Sequence, residues 1–184
     1  FILLDDIAAI LDDVAAMTKV AAKKTAGVVG DDLAVNAQQV TGVSAERELP
    51  IVWQVAKGSF WNKVKIIPLA LLLSALSKVL VMIALMLGGI YLCYEGAEKI
   101  FGHSTENEDK KTLSEEEKID GAIKTDFVLS GEIMVIALGS AAALPFLSQV
   151  LVLSVIGIAM TVGVYGLVAL IVKADDVGIF LLEV

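Results

Sequence analysis

Residues 66–93 read IIPLALLLSALSKVLVMIALMLGGIYLC, 28 residues with a single charge, Lys78. One helical crossing of a bilayer takes about 20 apolar residues, so this stretch is long for one crossing and short for two. Two crossings must recruit the preceding residues from Val55 onward. There Trp61 suits the aromatic belt at the membrane surface, and Lys63 and Lys65 reach the headgroups by snorkelling. Pro68 then lies inside the first crossing, where neighbouring helices have to satisfy the carbonyl it frees.

A second apolar block runs from Phe127 to Val172, 46 residues with one charge, Glu132, and a natural break at Leu144-Pro145-Phe146. It has room for two crossings. The blocks echo each other: Leu76-Ser77-Lys78-Val79-Leu80-Val81 matches Leu147-Ser148-Gln149-Val150-Leu151-Val152, and Met86, Gly89 and Tyr91 keep the spacing of Met160, Gly163 and Tyr165. Two similar helical hairpins are expected, as a parallel repeat.

Charge placement fixes the count of crossings. If both blocks are hairpins, 13 of the 14 Lys and Arg residues fall on one side, the exception being Lys78 at a tip. A single crossing in the first block would split the basic residues between the two faces, against the positive-inside rule. The expected architecture is therefore all-α and polytopic, with four transmembrane helices as two hairpins and both termini cytoplasmic. It divides into an amphipathic cytoplasmic region (1–54), a first hairpin (55–98), a polar linker (99–125), a second hairpin (126–173) and a tail (174–184).

Composition agrees: 57% of the residues are hydrophobic and the mean hydropathy is +0.81, against roughly 45–50% apolar in soluble domains. A net charge of -8 and a lone arginine, Arg47, exclude a phosphate-backbone binder, so nucleic acid is not an expected partner. The single cysteine, Cys93, rules out an intrachain disulfide and a cysteine metal cluster. No secretory signal is visible, and the start at Phe1 leads us to expect native residues before it.

In residues 3–17, LLDDIAAILDDVAAM, the apolar Leu4, Ile7, Leu11 and Val14 keep helical spacing while Asp5, Asp6, Asp12 and Asp13 project elsewhere. Helices that lie on membranes carry Lys and Arg on their polar face, so an acidic face points to packing against protein. Gly30 followed by Asp31-Asp32 predicts a helix stop and a new N-cap, with another short helix after it. Asp175-Asp176 is a further acidic doublet, but none of these has the loop spacing of a calcium motif. Residues 102–120 are charge-dense, with little to bury; their His103 has no second ligand nearby.

Ionisable groups at membrane depth are costly, and so mark candidate sites. Glu132 lies about ten residues, roughly 15 Å, into the third crossing, where Lys124, Lys63 or a hydroxyl could hold it. Glu95 sits near the end of the second crossing with Lys99 at i+4, the spacing of a local ion pair. Asp126 completes the set, on a different face from Glu132. Gly88, Gly89 and Gly96, and Ala159 with Gly163, supply small faces for close helix contact. No nucleophile, phosphate-loop or metalloprotease motif appears, so no enzyme activity, cofactor or metal is expected.

At Ala21-Ala-Lys-Lys-Thr-Ala-Gly-Val-Val-Gly-Asp-Asp32, Asn36-Ala-Gln-Gln39, Arg47-Glu-Leu-Pro50 and Thr125-Asp-Phe127 the chain resembles the YedI-like family of bacterial inner-membrane proteins. The similarity continues through Leu87-Gly88-Gly89, Glu95-Gly96 and Gly163-Val-Tyr-Gly166-Leu to Val172-Lys173. The resemblance implies an inner-membrane location and assigns no activity or site residue. The leading expectation is a homo-oligomer forming a pathway for a small ion or solute, lined by Glu132. The alternative is an assembly protein that binds a cytoplasmic partner through its acidic face.

Overall fold

The computed structural model describes residues 2–40, 45–101 and 114–182. They form five helices: α1 (Ile2–Val40), α2 (Ala45–Leu76), α3 (Lys78–Phe101), α4 (Glu115–Ser140) and α5 (Phe146–Leu182). There is no strand among the described residues. Residues 102–113, including His103, lie outside them, as do the side chains of Lys78, Glu95, Lys99, Asp175 and Asp176.

Local chemistry explains the breaks. Ser77 separates α2 from α3: its amide still bonds to Leu73 O at 2.9 Å, while its hydroxyl accepts the Val79 amide at 3.2 Å and so starts the next helix. The expected break at Leu144-Pro145-Phe146 falls between α4 and α5, where Gln149 Nε2 donates to Leu144 O at 2.9 Å. Ser114 begins α4 with a capping box: Glu117 N donates to its hydroxyl at 3.3 Å, and Ser114 N donates to the Glu117 carboxylate at 2.9 Å. Part of the stretch read as linker, from Glu115 onward, is thus helical.

The bundle is built around α4 and α5, with α1 and α2 on opposite sides of that pair and α3 folded back over α2 and α4. Two apolar clusters fix the directions. In one, Val14 and Ala21 of α1 join Leu71, Ala141 and Leu153, at the end where the helix pairs turn. In the other, Val40 joins Ile51, Val55, Ala122, Val168 and Val172 at the opposite end. Hence α1 runs parallel to α5, and the described chain begins and ends at opposite ends of the bundle.

α1 and the start of α2 pack with the rest of the bundle: Val14 and Ala21 belong to the first cluster, and Val40, Ile51 and Val52 to the second. Two expectations change. The stop at Gly30 does not occur; α1 passes through Gly27 and Gly30 unbroken. Each interior glycine costs about 0.5–1 kcal/mol against alanine, less than the burial that α1 gains on either side of them. Four crossing helices are not seen either: among the described residues two helices, Glu46–Leu76 and Phe146–Ala174, are long and apolar enough to cross a membrane. The apolar part of α3 spans only Val79–Tyr91, and α4 carries Glu115, Glu116, Glu117, Asp120, Lys124, Asp126 and Glu132.

The outer surface is apolar on α2, α3 and α5. Trp53, Trp61 and Leu72 on α2, Met82 and Leu87 on α3, and Leu147, Val162 and Leu170 on α5 are all exposed. Monomers in water rarely present contiguous apolar surface on this scale. The outer face of α1 differs, carrying Lys19, Lys23, Lys24 and Asp31.

Candidate functional site

Polar residues at i, i+4 spacing point inward from three helices: Asp32 and Asn36 on α1, Ser59 and Lys63 on α2, and Asp126 and Ser130 on α4. Residues four apart share a helix face, so each pair enters the core at one level. Asn62 beside Lys63, and Tyr165 on α5, complete a polar layer. The apolar clusters close it on both sides, with Ile66, Ile133, Met134 and Ile156 toward the turns and Ile51, Val55, Ala122 and Val168 toward the other end.

Lys63 and Asp126 form the centre of the layer. Lys63 Nζ donates to Ser59 Oγ at 2.6 Å, Ser130 Oγ at 2.9 Å and Asp126 Oδ1 at 3.2 Å, which uses all three ammonium hydrogens. Asp126 Oδ1 also accepts from Ser59 Oγ at 2.7 Å and Tyr165 Oη at 3.2 Å, while Oδ2 accepts from Asn62 Nδ2 at 3.0 Å. Asn62 Nδ2 is shared with Ile123 O at 2.9 Å, which fixes its orientation. Ser59 therefore both accepts from the ammonium and donates to the carboxylate, linking the two charges by a second route.

Asp32 adds a second carboxylate, only 2% exposed, which accepts from Asn36 Nδ2 at 2.8 Å and lies close enough to Asp126 and Lys63 to feel both charges. With all three groups ionised the layer holds two negative charges against one positive. An uncompensated buried charge costs several kcal/mol, so the layer is electrostatically suited to hold one further positive charge, a proton being the smallest. A cavity of about 10 Å³ touches Asn36 and Tyr165 and reaches Lys118 near the start of α4. That is about the room one water needs.

The carboxylates singled out from sequence separate. Asp126 is the hub of the layer. Glu132 stands apart from it, half-buried on the wall of an open groove between α2, α3 and α4. The partners considered for Glu132 are engaged elsewhere, Lys63 with Asp126 and Lys124 with Asp120 at 2.6 Å. The Glu95 side chain is outside the described residues, so its pairing with Lys99 is not seen. Lys63, expected to snorkel outward, turns into the core because α4 offers a carboxylate and a hydroxyl there. Sequence reasoning took Asp32 for part of a helix cap and passed over Ser59, Asn62 and Tyr165 as site residues; the recurring i, i+4 polar pairs were the signal that could have found them. Among the described residues there is no group of three His, Cys, Asp or Glu side chains that could hold a metal ion.

At the same end as the cavity, Arg47 in the first turn of α2 grips Glu115 in the first turn of α4, with Nη2 at 2.7 Å from Oε2. The hydrogen bond from Arg47 holds the Glu115 carboxyl below its ordinary value. The pair is solvent-exposed and ties together two helix starts that lie far apart in sequence.

A family model described as "Protein of unknown function (DUF808)" matches residues 1–184. The chain belongs to the DUF808 family. Nothing matches among curated proteins or among solved structures. The DUF808 description assigns no chemistry, so the case for any activity of this DUF808 chain rests on the buried layer and the groove themselves.

Proposed function

We propose that this DUF808 protein is an integral membrane protein whose buried layer takes up and releases a proton, moving it across the bilayer. One observation carries the proposal: two carboxyl groups, Asp32 and Asp126, and a single ammonium, Lys63, are enclosed between apolar clusters. Charged groups at membrane depth mark ion and proton paths by default. The Ser59, Asn62, Tyr165 and Ser130 contacts supply a hydrogen-bonded chain around the carboxylate, and the cavity beside Asn36 and Tyr165 has room for one water on the side toward Lys118.

Membrane insertion is supported by the two apolar helices and the exposed apolar surface of α2, α3 and α5. The YedI-like resemblance extends this to a bacterial inner membrane, and the basic residues at the end bearing Arg47, Lys118 and Lys173 favour the cytoplasm for that end. The charged outer face of α1 cannot rest against lipid tails, and a homo-oligomer that turns the α1 helices toward a shared aqueous interior satisfies it. Light scattering of the detergent-solubilised protein should then give more than one copy.

The test is reconstitution of the full chain into liposomes with a trapped pH dye and a clamped membrane potential. Flux above protein-free vesicles is expected, and Asp32→Asn should lose it while leaving the Lys63–Asp126 pair intact. No flux from the folded wild-type chain would refute the proposal.

A second reading rests on the first turns of α1, where Leu3, Leu4, Ile7 and Leu11 are exposed beside the Asp doublets. That end is free to dock a partner protein. Flux that survives removal of residues 1–12, together with loss of a defined co-purifying subunit, would favour an assembly role for this segment.

A further inference from the structure

The groove between α2, α3 and α4 encloses about 300 Å³, at the lower edge of the range of about 300–1,000 Å³ typical of small-molecule sites. Leu69 and Leu73 of α2, Gly88 of α3, and Val128 and Gly131 of α4 contribute to an almost wholly apolar wall. The exception is Glu132. Among the described residues it has neither a hydrogen-bonding nor an ion-pairing partner, although it is half-buried in this wall. A carboxylate in apolar surroundings is costly when ionised and unpaired, and a cation brought in by an occupant offsets that cost.

Shape supports an elongated occupant: the lining runs along α4 from Phe127 to Ile136, about 13 Å of helix. Gly131 faces open space, with no atom within 4 Å of a Cβ built on it, whereas a Cβ on Gly88 would meet Val128 Cγ1 at 3.3 Å. Small residues thus keep the groove open along α4 while α3 approaches closely at one point. An unbranched hydrocarbon fits such a slot better than a bulky ring system, and its charged head would meet Glu132.

We propose that this groove is a binding site for a cationic amphiphile, a molecule with an alkyl chain and one primary or quaternary ammonium group, paired with Glu132. The site is separate from the Lys63–Asp126 layer, and its occupation does not depend on proton movement. The groove opens on the side of the bundle that carries the apolar surface, so the occupant enters laterally from the lipid phase.

The experiment uses the full chain in phosphatidylcholine nanodiscs, with empty nanodiscs subtracted. Two fluorescent probes are compared: dansylated 1,10-diaminodecane, which keeps one free ammonium, and dansylated decylamine, which has none. Saturable binding of the cationic probe is expected, weakened at least tenfold in Glu132→Gln, a nearly isosteric change that keeps the fold. The neutral probe should bind weakly and not distinguish the two proteins. Gly131→Leu, which fills the slot, should abolish binding of the cationic probe, and the circular dichroism melt of each variant reports whether it is folded. Equal affinity of the cationic probe for wild type and Glu132→Gln, or equal affinity of both probes for wild type, would overturn the proposal. So would displacement of the cationic probe by a soluble peptide of α3, which would make the groove a helix-docking seam. Flux measurements play no part in the outcome, so this site and the proton proposal stand or fall separately.

Discussion

Lys63 on α2 and Asp126 on α4 stand 3.2 Å apart, Nζ to Oδ1, with side chains only 4% and 0% exposed. Breaking such a pair from one side strands the other charge in the core, at a cost of about 3–5 kcal/mol, whereas replacing both by apolar groups of similar size is often neutral. Lys63→Met or Asp126→Leu alone should therefore lower the melting temperature sharply, and the double variant should recover most of the loss. Proton flux should stay absent in the double variant. A fully stable double variant with undiminished flux would show that the pair only holds the bundle together.

Asp32 is the carboxylate in excess. Asp32→Asn removes a buried charge and leaves the Lys63–Asp126 geometry in place, so thermal stability is expected to hold or rise at neutral pH while flux falls. A loss of stability as large as that of Asp126→Leu would place Asp32 among the structural partners of Lys63.

Tyr165 contributes one hydroxyl to Asp126 at 3.2 Å. Tyr165→Phe keeps the ring packing against α2 and α4 and deletes that bond, worth about 1 kcal/mol, with up to about 3 kcal/mol for bonds to a charged acceptor. Chemical denaturation should register a drop in that range with an unchanged slope.

Gly58 on α2 lies directly against Ile123 of α4: a Cβ there would overlap the Ile123 side chain, 2.6 Å from Cγ1. Gly58→Ala should destabilise by about 1–3 kcal/mol, as overpacking does. Because the obstructing atoms are the outer part of one side chain, Ile123→Ala in the same protein should relieve most of it, which a double-mutant cycle of melting curves would reveal.

Arg47 and Glu115 give a pH signature. Since the folded protein holds the Glu115 carboxyl below its usual 4.5, the contact contributes at pH values above that of the unfolded chain and is lost as acid protonates the folded-state group. The pair is exposed and weak, and salt screens it. Any stability difference between wild type and Arg47→Ala should thus be present at neutral pH and vanish both at acidic pH and at high salt.

Much of the helical framework was legible because it is governed by local rules. The break at Pro145 follows from a residue that cannot continue a helix, and that near Lys78 from a lone polar pair inside an apolar run. Gly30 misled for a complementary reason: propensity is a weak term, and α1 is held by contacts its own sequence does not reveal. The packing of α1 into the bundle was hidden for the same reason, because an acidic outer face is compatible with lying on a bundle or away from it.

Hydropathy and spacing alone determined that the chain is helical and where the helix pairs break; they pointed to four crossings, whereas two helices among the described residues are long and apolar enough to cross a bilayer. Only the tertiary structure decided that Lys63 turns inward, that Asp126 rather than Glu132 receives it, and that Asp32 joins them from α1. The physical reason is range. Helix formation is set by neighbours within a few positions, whereas the Lys63–Asp126 bond joins residues 63 apart, and whether two polar groups meet depends on which faces the packing of whole helices brings together.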